Sequence, residues 1–405
     1  MTRAIVIGAG VAGPVAAMAL QRAGIDVTVY EAYAGSAEHV GSFLTLQANG
    51  MDALHAVDAA HVVEGLGFPT PRVTFYSGTG KRLGDGALGS DRAMSHTLRR
   101  ADLYAALRAE ALARGARIEH GKRLVGAETG PDGVRATFAD GTEATGDLLI
   151  GCDGLRSAVR AAVDPDAPPA RYVPVLNIGG EARCGSWPRE ARRGVTAPVG
   201  GPGEYAMVFG KRAFFGWTVA PDGDVWWFAN PPRRDEPEPG EIEAMTPEQW
   251  RSHLLDLFAD DATPATEIIE ATTTTLRGWP TYDVPRVPRW HRDRMIVIGD
   301  AAHATSPASG QGASMALEDA VVLAQCLRDI PAVPDAFAAF VDRRRDRVER
   351  IVAEGNKWSN TKAAGPVARV VRDAMLPLVF KRMNAKGAAN GWVYDHHIEW
   401  GEKVA

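Results

Sequence analysis

The chain has 405 residues, 45% of them hydrophobic, which is enough for two domains sharing a large interface. Its formal charge of −5, with no long basic block, excludes a nucleic-acid partner that tracks phosphates. No run approaches the about 18 apolar residues that a bilayer span needs, so no integral membrane segment is expected.

The first element is Ala4-Ile-Val-Ile7, a short β-type run followed by Gly8-x-Gly10-x-x-Gly13, a helix to about Ala23, and a second strand from Asp26 to Glu31. The first two glycines suit a tight turn open to a pyrophosphate, and Gly13 lets helix and strand pack closely. Glu31, at the end of the second strand, is placed to accept ribose hydroxyl hydrogen bonds. An acid here favours an unphosphorylated adenosine ribose, as in FAD or NAD, without choosing between them. The run Ala4 to Leu20 has the charge and length of a signal peptide, but its glycine spacing and the strand that follows argue against one.

Asp147-Leu-Leu-Ile-Gly-Cys-Asp153-Gly154 is another buried strand ending in an acid and a glycine, with Arg156, Ser157 and Arg160 behind it. From spacing alone it reads equally as an ordinary strand, turn and serine-capped helix. Strands are expected over about 71–83 and through most of 171–279. Tyr205-Ala-Met207-Val-Phe209 and Phe215-Gly-Trp217-Thr-Val219 each place three large side chains on one face, and Asp222-Gly-Asp224 makes a hairpin into Val225-Trp-Trp227-Phe228. Pro231 to Gly240 is a solvated loop, and Thr246-Pro247 starts a helix to Phe258.

Met295 to Ile298 is a further buried strand, ended by Gly299-Asp300 and followed by a helix from Ala313 to Leu327. The free N–H groups and dipole at that helix start suit an anion, and Gly310 and Gly312 allow close approach. Beyond residue 335 two helices are expected, Ala336 to Trp358 and Pro366 to Met383. In the first, Arg343 to Arg350 reads as a solvated face. The second is amphipathic through Val367, Val370, Val371, Met375, Leu378 and Phe380; packing on the body is the expectation and a membrane-surface role the alternative. The tail Trp392 to Trp400 is expected to dock. Its His396-His397 pair points to opposite sides of an extended segment, so no metal is assigned. Cys152, Cys184 and Cys326 are an odd number without motif spacing, which fits a reducing, cytoplasmic setting.

Together, Gly8 to Glu31, Asp153-Gly154 with Ser157 and Arg160, and Gly299-Asp300 followed after six residues by Pro307 resemble the single-component FAD-dependent aromatic monooxygenases, the para-hydroxybenzoate hydroxylase-like flavoproteins. The resemblance runs along nearly the whole chain. It implies an α/β fold, with a Rossmann-like FAD domain of mostly parallel sheet in segments 1–70, 96–170 and 280–335. A mostly antiparallel substrate sheet would be built from 71–95 and 171–279, with 336–405 a helical segment packed on the body.

The same resemblance implies cofactor contacts from Gly8, Gly10, Val11, Ala12, Gly13, Glu31, Gln47 in the stretch Gly41 to Asn49, Arg100, Leu124, Asp153, Asp300, Pro307, Gly310, Gly312 and Ala313. It implies FAD, NADPH or NADH as transient co-substrate, O2, and a flavin C4a-hydroperoxide that hydroxylates or epoxidises an aromatic or unsaturated small molecule. The protein would be a monomer or homodimer. Gly200-Gly-Pro-Gly203 lacks the strand and helix of a second dinucleotide turn, which fits a family whose NAD(P)H binds without its own domain.

Arg183, Met207, Phe209, Phe215, Trp217 and Trp227 are the expected substrate-facing residues, and a dry aromatic pocket would keep water from the reacting flavin. No catalytic base is assigned; Arg183, Glu181 and His96 are polar candidates, and His303 reads as a loop hydrogen-bonding residue. The alternative function is a flavin oxidoreductase on the same fold that does not insert oxygen.

Overall fold

Four short apolar runs line up in parallel because each is followed by a helix or a crossover long enough to return, and those at the centre are buried on both faces. In the computed structural model, which describes residues 2–35, 43–183, 199–284, 286–362, 366–385 and 391–404, they form a six-stranded sheet. Its order is His291–Arg292, Met295–Val297, Leu148–Gly151, Arg3–Ile7, Asp26–Glu31 and Arg117–His120. Every pairing is parallel except that of the short edge strand His291–Arg292. Ile296 and Val297, like Leu148 to Ile150, have no measurable exposure. The carboxyl ends of three adjacent strands therefore open at one edge, where the three glycine-acid turns follow.

Helices Ala12–Arg22 and Gly312–Asp329 pack on each other against this sheet. A three-stranded meander, Leu124–Gly130, Gly133–Phe138 and Glu143–Gly146, leans on it, with Phe138 stacked on Tyr30 at 4.8 Å. The second body is a seven-stranded sheet in the order Gly278–Asp283, Arg171–Ala182, Val225–Asn230, Phe214–Val219, Glu204–Phe209, Arg72–Ser77 and Arg82–Ala87. It is antiparallel except where Glu204–Phe209 meets Arg72–Ser77. Its last strand runs to Asp283, past the boundary at 279 read from the sequence, because Arg171 pairs with Asp283. A small sheet of Phe43–Leu46, His96–Arg99 and Phe68–Pro69 links the two bodies.

Helix Pro247–Phe258 covers one face of the seven-stranded sheet. Its start is fixed by Thr246, whose side chain accepts from the Gln249 N–H while the Gln249 side chain accepts from the Thr246 N–H. Three long or short C-terminal helices, Val333–Lys362, Pro366–Ala385 and Gly391–Tyr394, complete the described chain. Gly41, Cys184 and the rest of 184–198 lie outside the described residues.

Candidate active site

The three turns meet. Gly8, at φ +100°, has its Cα so near Cys152 that an added Cβ would stand 2.5 Å from the Cys152 carbonyl oxygen. A Cβ on Gly13 would stand 1.9 Å from the Gly8 carbonyl oxygen, so the helix start and the turn touch through backbone alone. Gly299, at φ +59°, faces Ala12 and Ala316, which inserts the third turn between the two helices. Gly10 behaves differently: a Cβ there would meet nothing within 4 Å. An open cradle of backbone at a helix start, bordered by close-packed glycines, fits a dinucleotide pyrophosphate.

Glu31 borders the same turn, where its Oε2 accepts from the Ala9 N–H at 2.7 Å and its Oε1 from the Tyr33 N–H at 3.0 Å. Asp153 turns inward: its carboxylate accepts from Ser157 Oγ at 2.5 Å and from the N–H groups of Ala158 and Val159 at 2.7 and 3.1 Å. Ser157 caps the helix Ala158–Val163 by accepting from the Arg160 N–H. Desolvation raises the Asp153 carboxyl above its ordinary range, against the pull of Ser157 and these N–H groups. The serine-capped reading of this stretch is the one seen here, with Asp153 the anchor of the cap.

Asp300 is exposed at the start of a short turn of helix, and the Cα of Gly312 is close enough that a Cβ there would stand 3.7 Å from Asp300 Oδ1. Pro307 and Gly310 are exposed, Gly310 at φ +61°, and Gln47 Nε2 would lie 3.5 Å from a Cβ on Gly310. Gln47 is held by its own N–H donating to Ser314 Oγ at 3.1 Å and by Ser95 Oγ donating to its Oε1 at 3.0 Å. Val11, Ala12, Gly312 and Ala313 occupy the first positions of the two helices that face this edge. Arg100 starts the helix Arg100–Ala113 and donates through Nε to Tyr104 Oη at 2.6 Å. Leu124 is buried opposite Phe138 in the meander.

Behind this edge lies a buried charge cluster that the sequence reading missed. Arg344 donates to Glu318 at 2.5 Å and to Asp319 at 2.7 Å, with both carboxylates fully buried and Arg344 1% exposed. Asp319 also accepts from the Gly299 N–H at 2.9 Å, and His303 Nε2 lies 2.6 Å from it. Asn49 Nδ2 donates to Glu318 at 2.6 Å and to Gln311 at 2.9 Å. Arg347 donates to both oxygens of Glu318 and to the carbonyls of Trp392 and Val393. The expected solvated face over Arg343 to Arg350 is therefore corrected for Arg344 and Arg347, which turn inward, while Arg343, Asp346 and Arg350 are exposed. Arg345 lies over the Trp290 ring, Arg350 over Trp392, and Arg343 donates to Val404. The missed signal was Glu318-Asp319, two adjacent acids inside an otherwise apolar helix.

The seven-stranded sheet separates the expected substrate residues. Phe215, Trp217 and Trp227 point at the covering helices: Phe215 stacks on Trp227 at 5.2 Å and meets Phe258 edge-on at 5.1 Å. The indole of Trp217 donates to the Val199 carbonyl and that of Trp227 to Thr272 Oγ1. These three are core, and the expectation that they line a pocket does not fit that placement. Met207 and Phe209 are on the opposite face with Phe75, Tyr205, Phe214, Trp226 and Phe228. Phe43 packs there too, 5.8 Å from Trp226 and 6.4 Å from Phe228. Four residues later the same strand delivers Gln47 to the Gly310 loop. Arg183 is exposed, Glu181 forms a two-point ion pair with Arg99, and His96 Nδ1 lies 3.0 Å from the Met94 carbonyl.

Burial pushes the Tyr205 phenol above its ordinary value against a hydrogen bond to Thr45, and pushes Tyr394, at the edge of the same cluster, up to about 12. Both phenols therefore stay protonated and are not bases at neutral pH.

A dinucleotide cradle at the ends of three parallel strands, facing an aromatic sheet, defines a two-layer nucleotide-dependent oxidoreductase. The profile of the family described as FAD binding domain matches residues 1–354. The chain belongs to this family and is an FAD-dependent monooxygenase, with NAD(P)H and O2 as co-substrates. It is 30% identical over 383 residues to the aurachin C monooxygenase/isomerase of Stigmatella aurantiaca, covering 91% of this chain and 93% of that protein. It is 32% identical over 351 residues to the 2-heptyl-3-hydroxy-4(1H)-quinolone synthase of Pseudomonas aeruginosa, covering 86% of each. The structure of Klebsiella pneumoniae HpxO with FAD and uric acid superposes with a TM-score of 0.81 at 26% identity, over 96% of each chain.

Proposed function

We propose that this monooxygenase places one oxygen atom on a planar, fused-ring heteroaromatic molecule held between the open aromatic face of the seven-stranded sheet and the loop Pro307 to Gly312. The observation that carries the reading is the strand Phe43–Leu46 with the residue that follows it: Phe43 packs on the aromatic face, and Gln47 comes beside Gly310. A flat aromatic wall on the sheet side favours a flat ring system. A quinolone product in one relative's name and uric acid bound in a structural relative support that ring class.

Gly8, Gly10, Val11, Ala12 and Gly13 hold the pyrophosphate, Glu31 the adenosine ribose, and Leu124 the adenine through its backbone. Asp300, Arg100 and Gln47 hold the ribitol side, and Asp153 fixes the turn beside Gly8. Pro307, Gly310, Gly312 and Ala313 face the ring system. Held by these residues, FAD would supply the acceptance of electrons from NAD(P)H and the activation of dioxygen. The residues do the rest: the helix start at Gly312 offers free N–H groups to negative charge on the ring edge, and Phe43, Phe75, Met207, Phe209 and Phe228 exclude water. Tyr205 donates to a substrate carbonyl or ring nitrogen and so orients the ring, and the nitrogen or oxygen lone pairs conjugated with the ring supply its electron density; no protein base is assigned.

The test is NADH and NADPH oxidation by the FAD-loaded protein with 4-quinolones, purines and single-ring phenols under 18O2. Acceleration and one 18O atom in a fused-ring product are expected. Labelled single-ring phenols with inert fused-ring compounds would overturn the substrate class, and unlabelled product would overturn oxygen insertion.

A further inference from the structure

The helix Pro366–Ala385 has two apolar faces, and the body takes only one of them. Arg372, Leu376 and Phe380, spaced i, i+4, i+8, are buried. Phe380 stacks on Phe75 at 4.9 Å, and the Arg372 guanidinium lies 4.8 Å from the Phe209 ring centre and donates to the Phe209 carbonyl. The other face carries Val371, Met375 and Leu378 at i, i+4, i+7, flanked by Val370 and Val379. All five are exposed, Leu378 by 69% and Val370 by 66%. The other large exposed hydrophobics among the described residues, such as Tyr33, Leu66 and Val125, stand singly. A cluster of this kind on one helix marks a contact surface.

Charge selects the partner. The chain carries −5, yet this helix carries four basic residues against one acid. Arg372 is buried and paired with that acid, Asp373, Arg369 donates to the Lys211 carbonyl, and the exposed charges left are both basic, Lys381 and Arg382. Lys381 and Arg382 are exposed one turn beyond Leu378, at the end of the apolar stripe. Two copies meeting through this face would bring like charges together, whereas an anionic surface attracts it. Among the described residues no helix is long and apolar enough to cross a membrane, so the contact is one of lying on a surface.

We propose that the outer face of Pro366–Ala385 rests on an anionic lipid bilayer, with Val371, Met375 and Leu378 in the acyl boundary and Lys381 and Arg382 among the headgroups. The inner face of the same helix closes on Phe75, a member of the open aromatic face. The helix is then a wall between the lipid and the proposed substrate site, which suits uptake of an apolar substrate dissolved in the membrane. The lipid contact itself does not rest on the substrate reading and is measured without turnover.

Full-length, FAD-loaded protein is floated with phosphatidylcholine vesicles and with vesicles containing phosphatidylglycerol. Flotation with the anionic vesicles is expected, with affinity falling roughly fivefold for each cation removed in Lys381→Gln and Arg382→Gln. The pair Val371→Glu and Leu378→Glu should abolish flotation while FAD content and the visible spectrum stay unchanged, since both side chains point away from the body. Wild-type protein that never floats overturns the proposal, as does undiminished flotation of the glutamate variant. Equal flotation with neutral vesicles overturns the anionic assignment. A dimer seen by light scattering, split by the glutamate pair and indifferent to vesicles, replaces the lipid with a second copy.

Discussion

Arg160 donates to the Ala301 carbonyl at 3.0 Å and to the Leu155 carbonyl at 2.8 Å, so one buried guanidinium ties the turn after Asp153 to the turn that carries Asp300. The two acids are 147 residues apart in the sequence; their strands pair as far as Gly151 and Val297, and Arg160 adds a side-chain tie beyond the strand ends, between the turns themselves. Arg160→Met should therefore weaken FAD retention more than it weakens the fold. Two charge-assisted hydrogen bonds, about 1.5–3 kcal/mol each, are lost; if about one of them is felt at the nucleotide, binding weakens on the order of tenfold. Titration of the apoprotein with FAD, followed by flavin fluorescence, checks this; unchanged affinity would show that the turns hold their spacing without Arg160.

The glycines of the first turn divide by what surrounds them. At Gly13 a methyl group collides with the Gly8 carbonyl at 1.9 Å, and neither partner is a side chain that can swing away. Gly13→Ala should give little folded protein. At Gly10 the methyl group enters open space, so Gly10→Ala should leave the apoprotein's thermal midpoint near that of wild type. Its FAD affinity should fall on the order of tenfold, the cost of one obstructed backbone hydrogen bond to an anion. Equal loss of stability in both variants would contradict a ligand role for Gly10.

The buried cluster makes a prediction about pH. Burial pushes the Glu318 carboxyl up, but the Arg344 and Arg347 charges overcome it and hold the group at about 2. Burial likewise works against Asp319, where His303 and Arg344 win and keep it below the ordinary carboxylate range. A carboxyl depressed on folding stabilises the fold above its unfolded pKa of about 4, and that stabilisation is lost as pH falls toward about 2. Urea unfolding should thus show this contribution steady from pH 7 to 5 and shrinking below 4. Arg344→Met leaves two buried acids short of a cation and should cost about 3–5 kcal/mol at pH 7. Near pH 4 the gap to wild type should narrow, because burial then favours protonating those acids. A gap of constant size would mean that Arg344 acts through packing alone.

What was legible in the sequence was local. A strand, a glycine turn and a helix start are fixed by a few neighbouring residues, so Gly8 to Glu31 and Gly299 to Gly312 could be read together as one nucleotide site. The cluster was not legible, because Arg344 and Glu318 lie on different helices and an arginine-rich run looks the same whether solvent or a carboxylate meets it. The faces of the large sheet failed for a sharper reason. Alternation tells which residues of one strand share a face, but the register between strands decides which faces coincide. The hairpin pairs Val208 with Phe215 and Ala206 with Trp217, and directly paired residues point the same way. Phe215 and Trp217 therefore share a side with Ala206 and Val208 and stand opposite Met207.

That register can be tested by a pair of substitutions. Trp217 is fully buried beneath the covering helices and Phe228 lies half-buried on the open face with Phe43 and Tyr205. Trp217→Ala removes a large core side chain and leaves the Val199 carbonyl without its donor, so a loss of about 3–5 kcal/mol in urea unfolding is expected. The surviving folded protein should still couple NAD(P)H oxidation to product as wild type does. Phe228→Ala should cost less stability and act on chemistry: water enters beside the ring system, and more NAD(P)H is consumed per product with hydrogen peroxide released. Peroxide yield and unfolding free energy, measured on both variants, separate the two faces. If Trp217→Ala uncouples and Phe228→Ala only destabilises, the substrate lies on the helix-covered side and the assignment of the open face is wrong.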